Sequence, residues 1–545
     1  MKKTFLFSSL ILLFSFFATA QEKWDGSSST DWSTGANWED SSVPASYISV
    51  VLNIPSSLSN YPVMQDIGQL VAADINMSSG STLTINSNAS LRTLSGTFDN
   101  DGTVIMNSGG AVKTSSSVTG SGQFVYNQNL ATTNWYIISS PLAGQNIDTF
   151  IAAEPIATSG DNMGLSTYNT ATKNWTYIQS GASSSGDFIR GKGYAVKLSS
   201  AEAIAFTGSN LTVSDVDFTL SYTADSNGKR YNLIGNPFPS YLNTASFLGG
   251  NTSKLQTETI WVWEGDGVDE SYTTYVTAQS RKVAPGQGFF VNAVASGSGD
   301  VSFLESYQLA SGSPFQGPQI VKSEVQLLIS NGSNIRSTII FYAAGTTTGF
   351  DNGWDGEMFG NQNNDFAIYT RFINDTNPEL DLAVQSLPDI SYEVPVGINA
   401  ISGSEITISA TSLDLPIDIN LYLEDRENDT LTLLDDTSDY TISLPDGSDG
   451  IGRFYLHTVS NELEIGENNL DNIIVYKSNE NNLRIVGVQG GVANLKIYNM
   501  LGKQILETSF EGNGTNNIST QSFQQGVYIV HLETESGILN KKIIL

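Results

Sequence analysis

The stretch "DINMSSGSTLTINSNASLRTLSGTFDNDGTVIMNSGG", residues 74–110, repeats a short unit of alternating apolar residues followed by small or polar ones. Each unit is typical of one short strand and one turn. Strands stacked in this way are the sequence signature of a β-solenoid. The repeat predicts a short solenoid between residues 63 and 130, and a meander of hairpins is the alternative. The side chains expected to point inward are Ile75, Met77, Leu83, Ile85, Leu91, Phe98, Val104 and Met106.

Three tryptophans precede this repeat in "KWDGSSSTDWSTGANWEDSSVP", residues 23–44. If Trp24, Trp32 and Trp38 were exposed, their rings could stack on sugar rings, because indole presents a large apolar face. The alternative is an aromatic cap, because the first coil of a solenoid leaves one end of the apolar core open. We expect the cap.

A longer similarity follows the solenoid. "WYIISSP" begins at Trp135 and "YNLIGNP" at Tyr231, so the two segments are 231 − 135 = 96 residues apart. Downstream, "GKGYAV" from Gly191 pairs with "GQGFFV" from Gly286. The Gly-x-Gly steps run straight into strands, which excludes a phosphate loop at a helix N-terminus. We expect one β-module that has been duplicated over residues 131–225 and 226–317.

Alternating strand patterns fill the rest of the chain. Residues 318–467 contain eight strand candidates with polar turns, which predicts an antiparallel β-sandwich. Residues 468–545 contain six more candidates and predict a smaller, immunoglobulin-like sandwich. The predicted fold is therefore all-β and multidomain, with a signal peptide at 1–20, a Trp-rich cap and solenoid at 21–130, and the units above.

Composition excludes several classes of function. The chain has no cysteine and two histidines, so disulfides and thiolate metal sites are excluded. His457 and His531 both alternate with apolar residues, and no Gly-x-Ser-x-Gly motif accompanies them. The formal net charge of −30 disfavours nucleic acid, whose binding needs basic side chains.

The N-terminus indicates export. Met1, Lys2 and Lys3 precede an apolar run, and Ala18-Thr19-Ala20 is a small-x-small cleavage site, so we predict a secretory signal peptide. The later sequence contains no apolar run of the roughly 18 residues that a membrane helix needs. We expect a protein that crosses the inner membrane and does not span a membrane afterwards.

The last unit contains "LKIYNMLGKQI", residues 495–505, and the final "GVYIVHLETESGILNKKIIL", residues 526–545. With these two motifs it resembles the C-terminal sorting domain of proteins exported by the type IX secretion system of Bacteroidetes-type bacteria. The resemblance implies delivery to the outer surface or the medium, with the type IX machinery and a sortase-like peptidase as partners. The residues carried over from the sorting motif are Gly502, Lys503, Gly526, Tyr528, Lys541 and Lys542. The rest of the chain resembles uncharacterised surface proteins of the same bacteria, which implies no reaction.

Two acidic loops suggest structural calcium. "GFDNGWDGE" places Asp351, Asp355 and Glu357 in one loop, and oxygen-rich turns are what calcium prefers. "EGDGVDE", residues 264–270, has the same character. Neither loop has the EF-hand register, and solvated acidic turns are the alternative.

We expect no catalytic residue, no cofactor besides possible calcium, and a role in adhesion to glycans or another surface ligand. A polysaccharide lyase or glycoside hydrolase exported by the same route is the first alternative, since paired carboxylates could cleave polysaccharides. A structural surface or matrix protein is the second.

Overall fold

A computed structural model describes residues 20–44, 50–93, 96–115, 117–181, 185–211, 213–222, 230–264, 271–295, 299–310, 323–360, 364–373, 380–390, 392–413, 415, 419–435, 437–460, 473–478, 482–524 and 526–544. Strands account for 57% of the chain and helices for 5%, which confirms the all-β prediction. The predicted signal peptide lies outside the described residues, apart from Ala20.

The first unit is a three-sided parallel solenoid. Its faces are the sheets β1-β2-β5-β8-β11, β4-β7-β10 and β3-β6-β9-β12. Leu70 pairs with Leu91 and Leu91 with Val112, so one coil takes 21 residues on this face. The strands are β1 Ala20–Lys23, β2 Val50–Ile54, β3 Val63–Met64, β4 Gly68–Ala72, β5 Asp74–Met77, β6 Thr82–Ile85, β7 Ala89–Thr93, β8 Thr97–Asn100, β9 Thr103–Asn107, β10 Ala111–Thr114, β11 Ser117–Thr119 and β12 Gln123–Leu130.

The eight side chains predicted to point inward are all buried, with exposures between 0% and 3%. Polar side chains form ladders on the outside, where Asn107 donates to Asn86 at 2.7 Å and Asn127 donates to Asn107 at 2.8 Å. Each coil therefore adds both apolar and hydrogen-bonded contacts to its neighbour, which is how stacked repeats gain stability.

The three tryptophans lie against the first coil and are buried. Their exposures are 0%, 1% and 1%, and they belong to the same apolar core as the solenoid. Trp38 packs edge-on against Trp24 at 5.1 Å and against Trp32 at 4.7 Å. The indole N–H of Trp24 donates to the carbonyl of Asn60, and that of Trp38 to the carbonyl of Trp32. These rings therefore offer no face to a sugar.

The first central sheet has the order β13-β18-β16-β15, with β17 also pairing with β16. Strand β19 pairs antiparallel with the last long strand of the solenoid, β12, and so ends the parallel stack on that face. The elements are β13 Trp135–Ile138, β14 Leu142–Ala143, α1 Ile147–Ala153, β15 Thr158–Ser159, β16 Asn162–Asn169, β17 Asn174–Gln179, β18 Tyr194–Lys197, β19 Glu202–Gly208, β20 Asn210–Leu211 and β21 Val216–Thr219.

The second central sheet has the order β22-β27-β24-β25, which corresponds strand by strand to β13, β18, β16 and β17 of the first. In each unit a seven-residue helix follows the first strands, and an Asn side chain caps its N-terminus, Asn146 in one and Asn243 in the other. The elements are β22 Tyr231–Gly235, β23 Tyr241–Asn243, α2 Thr244–Gly250, β24 Thr259–Glu264, β25 Ser271–Val276, β26 Lys282–Val283, β27 Gly288–Asn292, β28 Asp300–Phe303 and β29 Gln308–Leu309.

The unit that follows the two central sheets, residues 323–460, is called the third unit below and is one large sheet folded around a single core. Strands from both ends of its strand order, such as β38 and β39, contribute to that core. The expectation of a purely antiparallel sandwich was wrong at one pair, since β31 and β34 are parallel. The long connection between them provides the crossover that parallel pairing requires. The strands are β30 Ser323–Ser330, β31 Ile335–Tyr342, β32 Gly356–Glu357, β33 Ala367–Thr370, β34 Leu382–Leu387, β35 Val394–Asn399, β36 Ser404–Leu413, β37 Ile419–Asp425, β38 Thr430–Leu434, β39 Tyr440–Leu444 and β40 Phe454–Ser460.

The last unit is a five-stranded antiparallel sheet in which β42 contacts β41, β43 and β44. Two predicted strands are joined in β42, which shifts register between Ile485 and Val488 and between Gln489 and Val492. Gly490 and Gly491 have φ values of 68° and 69°, a conformation that allows such bulges without strain. The strands are β41 Ile474–Ser478, β42 Asn482–Asn499, β43 Gln504–Ser519, β44 Val527–Thr534 and β45 Gly537–Ile544.

Candidate binding groove

A groove lined by aromatic side chains lies where the two central sheets meet. Its volume is about 210 Å³, which is smaller than the roughly 300–1,000 Å³ of pockets for drug-sized ligands. A groove of this volume accommodates one small ring or side chain. The residues that line it, called the aromatic groove below, are Trp135, Ile137, Ser166, Trp175, Tyr177, Ala195, Trp263 and Tyr272.

The floor of the groove is a row of paired residues across the first central sheet. Ile137 pairs with Ala195, Ala195 with Ser166, and Ser166 with Tyr177. Residues directly opposite each other on neighbouring strands point to the same face of a sheet. Because Ala195 and Ser166 are small, the middle of the row is lower than its ends, and this difference in size makes the depression.

The walls come from both sheets. Trp135 and Tyr177 belong to the first sheet, and their ring centres are 5.9 Å apart. Trp263 and Tyr272 are cross-strand partners in the second sheet, with ring centres 4.8 Å apart. The indole N–H of Trp263 donates to the carbonyl of Trp135 at 2.7 Å, which fixes one wall against the other.

The walls are supported by further aromatic rings. Trp175 packs against Tyr168 and Phe290, with ring centres 5.5 Å and 6.3 Å away. Tyr272 packs at 4.1 Å against Phe359 of the third unit. Burial raises the pKa of the Tyr272 phenol, so the group stays neutral. Rings held in this way lose little freedom when a ligand stacks on them.

The chemistry of the lining favours binding. Tryptophan and tyrosine present flat apolar faces together with polar N–H and O–H groups, a combination suited to the faces of sugar rings. Tyr177 keeps 37% of its surface exposed and so is accessible at the rim. Among the described residues that line the groove there is no carboxylate and no histidine, the usual groups for general acid–base catalysis.

This groove was not predicted from the sequence, although the sequence contains a pattern that points to it. Trp175 and Tyr177 in "KNWTYI", and Trp261 and Trp263 in "IWVWE", are spaced two residues apart. In a strand this spacing puts both rings on one face. The three tryptophans near the N-terminus form a similarly aromatic segment of the sequence, but their rings are buried.

The candidate calcium ligands lie in and just after the loop between β31 and β32 of the third unit, and this loop contacts the second central unit, where the N–H of Glu258 donates to the Asn352 side chain at 2.8 Å. Asp351 accepts hydrogen bonds from the N–H and hydroxyl of Thr347. Asp355 is fully buried and accepts from the N–H of Asp351 at 2.6 Å and from both the N–H and the hydroxyl of Ser386. The carboxylate of Glu357 contacts the hydroxyl of Tyr231 at 3.5 Å instead.

The loop therefore brings Asp351 and Asp355 together and places the Glu357 carboxylate elsewhere. Within the described residues, no group of three His, Cys, Asp or Glu side chains is arranged to hold a metal ion. Asp266, Asp269 and Glu270 of the second acidic loop lie outside the described residues. Calcium binding stays a prediction for both loops.

The residues carried over from the sorting motif occupy a turn and the final hairpin. Gly502 has a φ of 76° in the tight turn after β42, and the N–H of Lys503 donates to the Asn499 side chain. Tyr528 is buried, and its hydroxyl donates to the carbonyl of Gln524. On β45, Lys541 pairs with Val530 and Lys542 with Ile529. Gly526 directly precedes β44.

Two family models match the chain. One, described as a domain of unknown function (DUF8693), matches residues 23–457. The other, described as a secretion system C-terminal sorting domain, matches residues 476–545 and confirms the resemblance seen in the sequence. No curated protein matches the chain.

Solved structures share little with the chain. A biofilm associated protein, its BSP domain, is 8% identical, and the match covers 78% of this chain and 95% of that one with a TM-score of 0.17. Tp47, the 47-kilodalton lipoprotein of Treponema pallidum, is also 8% identical, with coverage of 77% and 90% and a TM-score of 0.12. Dimeric latent PorU from Porphyromonas gingivalis is 10% identical, with coverage of 64% and 36% and a TM-score of 0.12. At these TM-scores the similarities carry no argument about function.

A sorting domain of this kind directs export through the type IX system, so the protein is secreted or attached to the outer surface of the cell. In the part of the chain that the structure describes, no helix has the length and apolar character needed to cross a membrane.

Proposed function

The chain belongs to the DUF8693 family and ends in a type IX sorting domain, and we propose that it is an exported adhesin that binds glycans through the aromatic groove. The observation that carries this proposal is the convergence of Trp135, Trp175, Tyr177, Trp263 and Tyr272 around one open depression. Soluble proteins usually bury such rings, so partly exposed aromatic side chains at one place favour a binding surface.

A glycan array probed with the full exported chain tests this proposal. Trp175→Ala and Tyr177→Ala each remove one stacking face and should abolish or strongly weaken the signal on the bound glycans. Phe350→Ala is the matched control, because Phe350 is 38% exposed and does not line the groove. Binding that survives both groove substitutions, or an array without any signal, would contradict the proposal.

We also propose that the groove binds without catalysis. Neither family model describes a catalytic family, and no carboxylate or histidine is found among the described lining residues. Incubation with a panel of polysaccharides tests the enzymatic alternative. Release of reducing or unsaturated oligosaccharides, lost on substitution of a single carboxylate, would make the protein an enzyme. A blank array together with no product would leave the structural role.

The sorting domain gives the proposal its partners. We propose that the type IX machinery carries the chain outward and that a sortase-like peptidase cuts the chain in front of residues 468–545. Deleting these residues should leave the body, residues 21–467, in the periplasm. Undiminished delivery of the truncated protein to the surface would show that another segment directs export.

Two further parts of the proposal concern the body. The shared strand order of the two central sheets supports duplication of one module over residues 131–225 and 226–317. Residues 318–467 then form a separate sandwich, and residues 21–130 the capped solenoid. Calcium at Asp351, Asp355 and Glu357 is also proposed, and the ion would compete with the hydrogen bonds that these groups already make.

A further inference from the structure

A cluster of charged and hydroxyl side chains joins the third unit to the sorting domain. Glu424 on β37 and His457 on β40 belong to the third unit. Tyr476 on β41 and Arg484 on β42 belong to the sorting domain. This cluster is separate from the aromatic groove and from the turn and final hairpin that carry the sorting motif. The side-chain contacts of this cluster hold the two units together in addition to the covalent connecting segment.

Glu424 is the centre of the cluster, and its side chain is 2% exposed. Its Oε2 accepts a hydrogen bond from the Tyr476 hydroxyl at 3.1 Å and lies 2.9 Å from Nε2 of His457. Its Oε1 lies 3.3 Å from Nη2 of Arg484. Burial opposes the charged form, but the His457 hydrogen bond and the nearby positive charges outweigh it and lower the pKa of Glu424 to about 2. The carboxylate is therefore both buried and ionised.

Arg426 completes the contact from the side of the third unit. Its Nη2 lies 2.5 Å from Oε1 of Glu393 and 3.3 Å from the Tyr476 hydroxyl. Its guanidinium lies 3.3 Å from the centre of the Tyr455 ring. The Tyr476 hydroxyl is thus held between a carboxylate and a guanidinium. The Tyr476 ring also packs against His457, with ring centres 4.6 Å apart.

We propose that Tyr476 and Arg484 form a latch that holds the sorting domain on the third unit, so that cutting the connecting segment does not by itself release the sorting domain. The occupant of this surface is a segment of the same chain, and its charge is complementary, since Arg484 meets Glu424. Separating the two units removes Tyr476 and Arg484 from the buried carboxylate of Glu424. Removing one partner of a buried ion pair costs free energy. The proposal rests on the sorting-domain match and is independent of glycan binding.

The test uses the full chain with a recognition sequence for a site-specific protease placed within residues 461–472. After cleavage, the two fragments of the wild-type protein should elute together in size-exclusion chromatography at micromolar concentration. The double variant Tyr476→Phe, Arg484→Gln should bind about 100-fold more weakly, because it loses one hydrogen bond and one ion pair to the same buried carboxylate. Glu424→Gln, a change on the other partner, should weaken binding in the same direction.

Lys477→Gln is the matched control, because Lys477 is exposed on the same strand and its change removes the same charge. It should leave the elution unchanged. Circular dichroism of the uncut variants shows whether each remains folded. Fragments of the wild-type protein that separate at once would overturn the latch, and so would a double variant, folded or not, that co-elutes as the wild type does.

Discussion

Asp355 provides a prediction about how stability depends on pH. Its side chain is fully buried, and burial raises its pKa from 3.8 to about 7, although hydrogen bonds from Asp351 and Ser386 oppose the change. Between these two values the folded protein binds the proton and the unfolded chain does not. The protonated form therefore stabilises the fold fully below about pH 4, and this contribution is lost as the pH rises through about 7.

Asp355→Asn removes the titration while keeping the shape of the side chain. One pKa unit corresponds to about 1.4 kcal/mol, so the difference of about 3 units gives a total of about 4 kcal/mol. About 3 kcal/mol of this total falls between pH 5 and pH 8. We expect the free energy of unfolding of the wild type, relative to Asp355→Asn, to fall by that amount over this range. Urea unfolding followed by tryptophan fluorescence measures it.

The control is Glu405→Gln, since Glu405 is exposed on β36 and carries the same type of charge. The stability of this variant relative to the wild type should not change between pH 5 and pH 8. The difference in the free energy of unfolding between the wild type and Asp355→Asn could instead stay constant from pH 5 to pH 8. That result would contradict the prediction, because the buried carboxyl would then have the same pKa in the folded and unfolded states.

Three other substitutions or conditions test the fold. Trp32→Ala removes a buried ring of the aromatic cap and should destabilise the solenoid by about 3–5 kcal/mol in thermal unfolding, whereas Val43→Ala, at a side chain that is 41% exposed, should have little effect. Gly235→Ala would place a Cβ atom 2.3 Å from Cβ of Ser139 and should lower the melting temperature. Gly249→Ala is the control, because a Cβ atom there meets nothing within 4 Å and should leave the melting temperature unchanged. Equal melting temperatures for the two variants would contradict the packing described between the two central sheets. Calcium binding by the Asp351 loop predicts a lower melting temperature in EDTA that is restored by added calcium, and an unchanged curve would leave the loop held by hydrogen bonds alone.

The parts of the fold that depend on neighbouring residues could be predicted from the sequence. Leu83 and Ile85 alternate with polar residues, and Val104 and Met106 are also two positions apart, the spacing that places side chains on one face of a strand. The sorting domain was recognisable for a similar reason, since its motifs are short and ordered along the chain.

The parts that depend on distant residues could not be predicted. The aromatic groove requires Trp135 and Trp263, which are 128 positions apart, to meet through one hydrogen bond. The parallel pairing of β31 with β34 depends on the path of a long connection. His457 looked like an ordinary strand residue, and only the packing of β37 and β41 beside β40 places it next to Glu424 and Tyr476.

Isothermal titration calorimetry measures directly whether the aromatic groove binds a glycan. The oligosaccharide with the strongest array signal is titrated into the wild type, Tyr177→Ala and Phe350→Ala. Loss of one aromatic stacking contact is expected to cost about 2 kcal/mol, which corresponds to a dissociation constant about 30-fold higher. We expect that change for Tyr177→Ala and none for Phe350→Ala. Equal dissociation constants for the wild type and Tyr177→Ala would contradict this prediction.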